Sequence, residues 1–450
     1  MESTAESPAP KSPEHLSRIR LALYAAPSLP LAGVGLPMIA LLPTYYTQVL
    51  GLGLSAVGVV FMLVRLLDIG LDPVLGVLMD RTRTRWGRFR PWLAGGAPIM
   101  MAAIAMLFFA GRGVGPLYLG VGLALAYAGW SICVLAQSAW GALLSPAYHE
   151  RSRIYSWWQA FNLIGLLLIV LTPVAVGALG WKTQQQGMAA MGLVLLALFP
   201  LTFIPSLAKV PEPQPDEAGP RARMSDWIAI LKLAAVRRVM AVDLILGLSF
   251  GMQASLFLFY LQDIKGMAPA VSNILLLLYF LSGLVCGPLW TLLAQRIDKH
   301  RALAACSLFY LLGLLGFQLI PAGSFVWAAA AALLAGIPYS APNLLSRSML
   351  ADAGDEERLQ TRQDRTGVLY AVLNSTTKVG SALAVGATFV GLDMAGFRAD
   401  SLSNGPGALL GLTFLFLAGP AVLNVMGAAV LIGYPLTADR HAEIRAALDS

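Results

Sequence analysis

The stretch VRLLDIGLDPVLGVLMDRTRTRWGRFRPW, residues 64–92, decides the fold. Its first half is an apolar run interrupted by Arg65, Asp68 and Asp72. Spacings of three and four residues put those charges on one face of a helix. Its second half gathers Arg81, Arg83, Arg85, Arg88 and Arg90 into one short loop. An apolar helix that ends in a dense basic loop reads as a membrane span that leaves the bilayer on the cytoplasmic side.

Similar apolar runs recur along the chain. Helices are expected near 21–48, 54–79, 91–110, 115–145, 154–180, 187–208, 238–262, 268–294, 302–320, 325–350, 366–392 and 407–435. Each is long enough to cross about 30 Å of hydrocarbon. The bulk composition agrees. Of 450 residues, 57% are hydrophobic and 12% charged, where a soluble domain carries about 25% charged residues. The net charge of +7 would suit nucleic acid, but the basic residues sit in short loops between apolar runs. The expected partners are a lipid bilayer and a small solute, with no nucleic acid, and the expected state is a monomer.

Lys and Arg also set the orientation. Of 31, only Arg112, Lys182, Lys265 and Arg398 fall in one set of loops, and Arg65 and Lys378 lie inside helices. The rest sit in the opposite loops and both termini, which places both ends of the chain in the cytoplasm of a multi-pass protein, most simply of a bacterial inner membrane. The expected class is an all-α polytopic membrane protein of twelve transmembrane helices in two pseudo-symmetric six-helix bundles. A disordered cytoplasmic tail (1–17) precedes the first bundle (18–208). A cytoplasmic linker with an interfacial helix (209–237) separates it from the second (238–436), and a cytoplasmic tail (437–450) follows. A weak repeat supports the two halves. Tyr46 and Gln48 recur as Tyr260 and Gln262 after the same interval. In that register Arg65, Asp68 and Asp72 correspond to Tyr279, Ser282 and Cys286, so the charges are a specialisation of the first half.

Three charges on one face of a span cannot point at lipid, where each costs at least about 2.5 kcal/mol. Two carboxylates a turn apart repel unless a cation sits between them. Asp68 and Asp72 therefore form a candidate site for H⁺ or Na⁺, and Arg65 can take over when the cation leaves. The alternative is a static ion-pair network. Lys378, within LNSTTKVGSALAVG, is the other charge deep in a span. With Arg65 it balances the two acids, so binding a cation would upset a near-neutral interior. Asp80, Arg81 and Arg88 at the end of the second helix are candidates for ion pairs that hold one access state. Gln137, Trp140, Trp158, Gln159, Asn162, Asn374 and Thr377 are candidate solute contacts, each open to a plain packing role. Asp243, after Arg237 and Arg238, is expected in an interfacial salt bridge. Cys133, Cys286 and Cys306 lie far apart in apolar runs and suggest neither metal nor disulfide. No nucleophile–base pair, metal cluster or phosphate loop points to an enzyme, and no cofactor is expected beyond the coupling ion.

RLLDIGLDPVLGVLMDRTRTRWGRFRPW resembles the second-helix and loop signature of the glycoside–pentoside–hexuronide:cation symporters of the major facilitator superfamily. The likeness continues in AWGALLSPAYHERSRI (139–154), in SRSMLADAGDEERLQTRQDRTG (346–367) and in the helix bearing Lys378. It implies the major facilitator fold, a cation site at Asp68 and Asp72 assisted by a fourth-helix hydroxyl at Ser131, and coupling roles for Arg65 and Lys378. The galactoside-carrying members bind sugar through acids in the first and fourth helices and an arginine in the fifth. Here Ala32, the stretch 134–136 (no acid among them) and Trp158 stand in those places. The resemblance thus implies cation-coupled symport of a small organic solute such as a glycoside. The departures keep open an alternative, a proton-coupled exporter or a carrier of an amphipathic, lipid-like solute.

Overall fold

The computed structural model describes residues 16–144, 148–181, 183–212, 231–362, 366–399, 401 and 404–449. Most of the linker expected to hold an interfacial helix, and most of the tail 1–17, lie outside them. Among these residues twelve long helices follow one another: α1 Arg18–Gln48, α2 Leu54–Arg81, α3 Arg90–Phe108, α4 Pro116–Leu143, α5 Tyr148–Ala178, α6 Gln184–Lys209, α7 Ala234–Ile264, α8 Pro269–Ile297, α9 Lys299–Gln318, α10 Phe325–Thr361, α11 Thr366–Met394 and α12 Pro406–Val430. A short helix, α13, spans Ala438–Asp449.

Local chemistry explains the boundaries. Proline stands in the first turn of α3, α4, α8 and α12, where its missing N–H costs nothing. Thr183 and Gln186 close a reciprocal cap at the start of α6. α1 carries Pro27, Pro30, Pro37 and Pro43 and runs in segments, with a π turn over Pro37–Leu41. One carbonyl freed near Pro27 is recovered when the Ser28 hydroxyl donates to Ala25 O at 2.5 Å. α10 runs past the expected end near residue 350 to Thr361. The extension is polar, and it is anchored by Asp352 on Lys299 at 2.7 Å.

Among the described residues, eleven helices are long and apolar enough to span a bilayer. α11 is as long but carries the polar run 374–378. Its packing accounts for that composition, because it lies against α2 on one side and α7 on the other and need not be soluble in lipid along its whole surface.

The repeat is visible in atomic detail. The Tyr46 hydroxyl donates to Leu107 O at 3.3 Å, tying α1 to α3. The Tyr260 hydroxyl donates to Phe317 O at 3.2 Å, tying α7 to α9. The turns that follow pass through Gly51 (φ +77°) and Gly266 (φ +65°), a conformation that strains residues with a Cβ.

The halves meet along α2–α11, α5–α8 and α1–α7. At the end bearing the 49–53 turn, one apolar core runs through both halves, from Leu54, Val57 and Phe61 to Phe259, Phe389 and Phe397. Gly58 sits on Phe389 and Gly386 on Met62, so α2 and α11 approach closely there. At the end bearing both termini the core divides. Leu75, Met79 and Phe89 stay with the first half, while Val236, Trp290, Leu345 and Tyr434 form a separate cluster. The apolar core is shared by both halves at one end and divided between them at the other.

Packing inside each half is tighter. A Cβ on Gly165 of α5 would collide with the backbone of Leu29 in α1. Gly165→Ala is therefore expected to cost about 1–3 kcal/mol by overpacking. Gly35→Ala, where nothing lies within 4 Å, is expected to be neutral or to gain about 0.4–1 kcal/mol. Thermal unfolding in detergent checks both, and equal melting temperatures for the two variants would contradict the packing described.

Candidate functional site

α2 presents Arg65, Asp68 and Asp72 along one stripe, and the neighbour along that stripe is α11. Lys378 of α11 reaches between the two acids. Its Nζ lies 2.8 Å from Asp68 Oδ2 and 2.6 Å from Asp72 Oδ2. It also lies 3.4 Å from the Ser131 hydroxyl of α4, to which it donates. An ammonium has three protons to donate, and three oxygens surround this one. Ser131 in turn donates to Asp68 Oδ1 at 2.9 Å, and Arg65 Nη1 donates to Asp68 Oδ2 at 3.2 Å. Asp68, Ser131 and Lys378 are all buried. Asp72 keeps 26% of its side chain exposed, although its Oδ1 is buried without a partner.

The charges of Asp68, Asp72, Arg65 and Lys378 sum to zero, which is what makes burial tolerable. Arg65 is expected to replace a departing cation; in the structure it reaches Asp68 alone, and the side chain that touches both acids is Lys378. The reason is geometric. Arg65 is drawn sideways, with Nε donating to Ser381 Oγ at 3.3 Å and its guanidinium 4.7 Å from the Tyr127 ring centre. Lys378 arrives from the facing helix and can touch both acids at once. Two carboxylates and a hydroxyl give an all-oxygen donor set, which suits a hard cation or a proton. Beyond Arg65 lies a cavity of about 20 Å³ bounded by Met38, Phe61, Tyr127, Gly251, Ser381 and Val385. It has room for about one water, so no solute fits there in this conformation.

Other candidates fall in different places. Gln137 and Trp140 do not face the space between the halves. Gln137 Nε2 donates to Tyr24 O at 2.9 Å, and the Tyr24 hydroxyl donates back to Gln137 O. Trp140 is fully buried against Tyr24 and donates to Pro211 O. Both fasten α4 to its own bundle. Trp158 is half-buried, with its indole N–H inside and unpartnered. Gln159 is exposed, and Asn162 donates to Trp158 O at 2.9 Å. Thr377 and Asn374 are exposed on α11.

Of the expected gating residues, Arg81 is exposed at the end of α2, and the Asp80 side chain lies outside the described part. Arg88 Nε donates to Met79 O at 3.1 Å within the first half. An acid not singled out from the sequence organises this loop. Glu212, just after α6, accepts the backbone N–H groups of Arg88, Phe89 and Arg90 at the start of α3. The one legible sign was an acid placed directly beyond an apolar run, opposite a basic loop.

Asp243 also departs from expectation. It is buried and accepts the Thr377 hydroxyl at 2.7 Å. Arg237 and Arg238 instead donate to the carbonyls of Lys232 and Ile432. Steps of five and six residues turn a helix by about 140° and 240°, so neither arginine shares a face with Asp243.

These features coincide with clear relationships. Residues 23–438 match the model of a family described as MFS/sugar transport protein. An uncharacterized symporter of Synechocystis sp. is 24% identical, over 90% of this chain and 92% of its own length. The glucuronide carrier protein homolog of Escherichia coli is 22% identical, over 90% of each chain. The crystal structure of a mutant of the nucleoside transporter NupG superposes with a TM-score of 0.70 at 11% identity, over 93% of this chain and all of the other. That agreement shows the fold alone. Twelve helices in two repeated bundles, the charged stripe of α2 and the match across 23–438 together make this chain a membrane transporter, not an enzyme, of the MFS/sugar transport protein family, within the glycoside–pentoside–hexuronide:cation symporter-like group.

Proposed function

We propose that this chain is a cation-coupled symporter that moves a small polar organic solute, such as a glycoside, by alternating access. The single observation that carries the reading is the Lys378 ammonium seated among Asp68, Asp72 and Ser131. Lys378 acts as a tethered cation, holding the place that a mobile Na⁺ or proton takes. An arriving cation makes the neutral cluster positive and competes directly with the ammonium for the same oxygens. Because Lys378 belongs to α11 and the acids to α2, losing that competition loosens a tie between the halves. Asp72 faces the parted end, which gives the cation its approach, while Asp68 lies deeper.

The basic loops support the assignment of the parted end to the cytoplasm. The conformation is then inward-open, in a monomer of the bacterial inner membrane. The names of the relatives support symport and a glycosidic cargo. Export, or carriage of a lipid-like solute, is the competing outcome of the tests.

The tethered ammonium generates two measurable expectations. Asp68→Ala and Lys378→Met each leave a buried charge unmatched and are expected to cost about 3–5 kcal/mol. The double variant is expected to recover at least half of the summed loss, which a thermodynamic cycle on purified protein measures. Additive losses would contradict the pairing. Second, Lys378→Met vacates the slot. Its melting temperature is expected to rise when choline chloride is replaced by NaCl, or when pH is lowered from 7.5 to 5.5. The rise should exceed that of the unsubstituted protein and vanish in Asp72→Asn. Insensitivity of both the unsubstituted protein and Lys378→Met to Na⁺, Li⁺ and pH would remove cation coupling from this site.

A further inference from the structure

A polar cluster in the second half is not used by the cation site. It joins α7, α10 and α11. Asp243 accepts from Thr377 at 2.7 Å. Arg347 donates through Nε to Asn343 Oδ1 at 2.9 Å and through Nη2 to Asn374 Oδ1 at 3.1 Å. Arg347 also lies within electrostatic reach of Asp243. Asp243 is buried, while Asn343, Arg347, Asn374 and Thr377 are exposed.

Position gives this exposure its meaning. Arg347 lies five residues inside Asp352, so about 7.5 Å deeper along α10. Asp243 lies nine residues from the start of α7, about 13 Å along the helix. Charged and amide side chains at such depth are not stable against acyl chains. Their exposure is what side chains lining a water-filled cleft between the halves would show. A purely structural tie would be buried, as Gln137 is on Tyr24.

The chemistry selects a class of ligand. A lone guanidinium would favour an anion, but the Asp243 carboxylate beside it cancels most of that field. What remains is a fixed acceptor, a fixed fork of donors and two carboxamides, arranged around a near-neutral site. Hydroxyl groups suit this set, because each can donate to the carboxylate and accept from the guanidinium. We propose that Asp243, Asn343, Arg347, Asn374 and Thr377 form the solute subsite and that it recognises adjacent hydroxyls of a glycoside. The planar polar groups missing from the first half are supplied here by the second. This inference rests on the transporter reading above and adds the side of the cleft that holds the cargo. It also gives a path for coupling. Thr377 and Lys378 are consecutive residues of α11, one turned to Asp243 and the other to Asp68 and Asp72. A solute that repositions Thr377 acts on the same turn of helix that a cation releases.

The test uses the full chain in detergent, titrated with the methyl β-glycosides of glucose, galactose, xylose and glucuronic acid, and with lysophosphatidylcholine as an amphipathic probe. Thermal shift and calorimetry read binding. At least one glycoside is expected to bind. Arg347→Gln and Asn374→Leu, both at exposed positions, are expected to weaken it at least tenfold, and Asp243→Asn similarly. The melting shift with Na⁺ or acid is expected to persist in the two exposed-site variants. That persistence separates this subsite from the cation site, since loss of the cation response in unsubstituted protein would strike the earlier reading instead. Glycoside affinity unchanged in both Arg347→Gln and Asn374→Leu would overturn the proposal. So would the absence of binding by every glycoside, whether or not lysophosphatidylcholine binds.

Discussion

A charge within a bilayer has to be matched at short range, since no solvent is present to do it and the penalty runs to several kcal/mol. In this chain the matching is done across the seam between the two halves. Lys378 has its oxygens on α2 and α4, and α2, whose two acids outnumber its Arg65, has its remaining counter-charge on α11. Neither half can bury its own charges alone. The electrostatic constraint is therefore part of the contact between the halves along α2 and α11, and a species that satisfies the acids independently of α11 alters that part.

The surrounding structure holds this interaction in place. Gly58 and Gly386 let α2 and α11 lie close at the sealed end. Arg65 is fixed against Ser381 and Tyr127, which keeps it from capturing both acids. Ser131 bridges the ammonium and Asp68. The second half has Tyr279, Ser282 and Cys286 at the positions equivalent to the charged stripe. There Ser282 donates to Leu333 O at 2.6 Å and Tyr279 joins an aromatic cluster with Phe257, Phe280 and Tyr339. The same scaffold position is used for packing in one half and for charge in the other.

Much of this was legible because the bilayer filters composition so strongly. Apolar runs of span length stand out, and so do charges within them, which is why Arg65, Asp68, Asp72 and Lys378 are conspicuous in the sequence. Partnership was not legible. That Lys378, and not Arg65, lies between the acids depends on α11 packing against α2, a contact more than 300 residues apart in sequence. The direction in which an uncharged polar side chain points was equally hidden. Gln137 and Asn374 look alike in an apolar run, yet one is turned into its bundle and the other is exposed. Asp243 misled because its neighbours in sequence are arginines, while the helical turn places them on other faces. Resemblance to a family supplied Ser131, which no spacing rule would have singled out.

The division of polar groups between the halves bears on how one helix would serve both the cation and the solute proposed above. α11 makes its charged contact to the first half and its hydroxyl contact to α7 of the second, from adjacent residues. A rigid helix cannot shift one of those residues without carrying the other, because the two are joined by one peptide bond within a single hydrogen-bonded turn. On the proposed reading, a cation that displaced Lys378 would free α11 to settle against α7 and α10, and a solute held by α7, α10 and α11 would favour that arrangement. Each ligand shifts the balance only to the extent that it binds one arrangement better than the other. Reciprocity then requires that the cation raise affinity for the solute by the same factor by which the solute raises affinity for the cation.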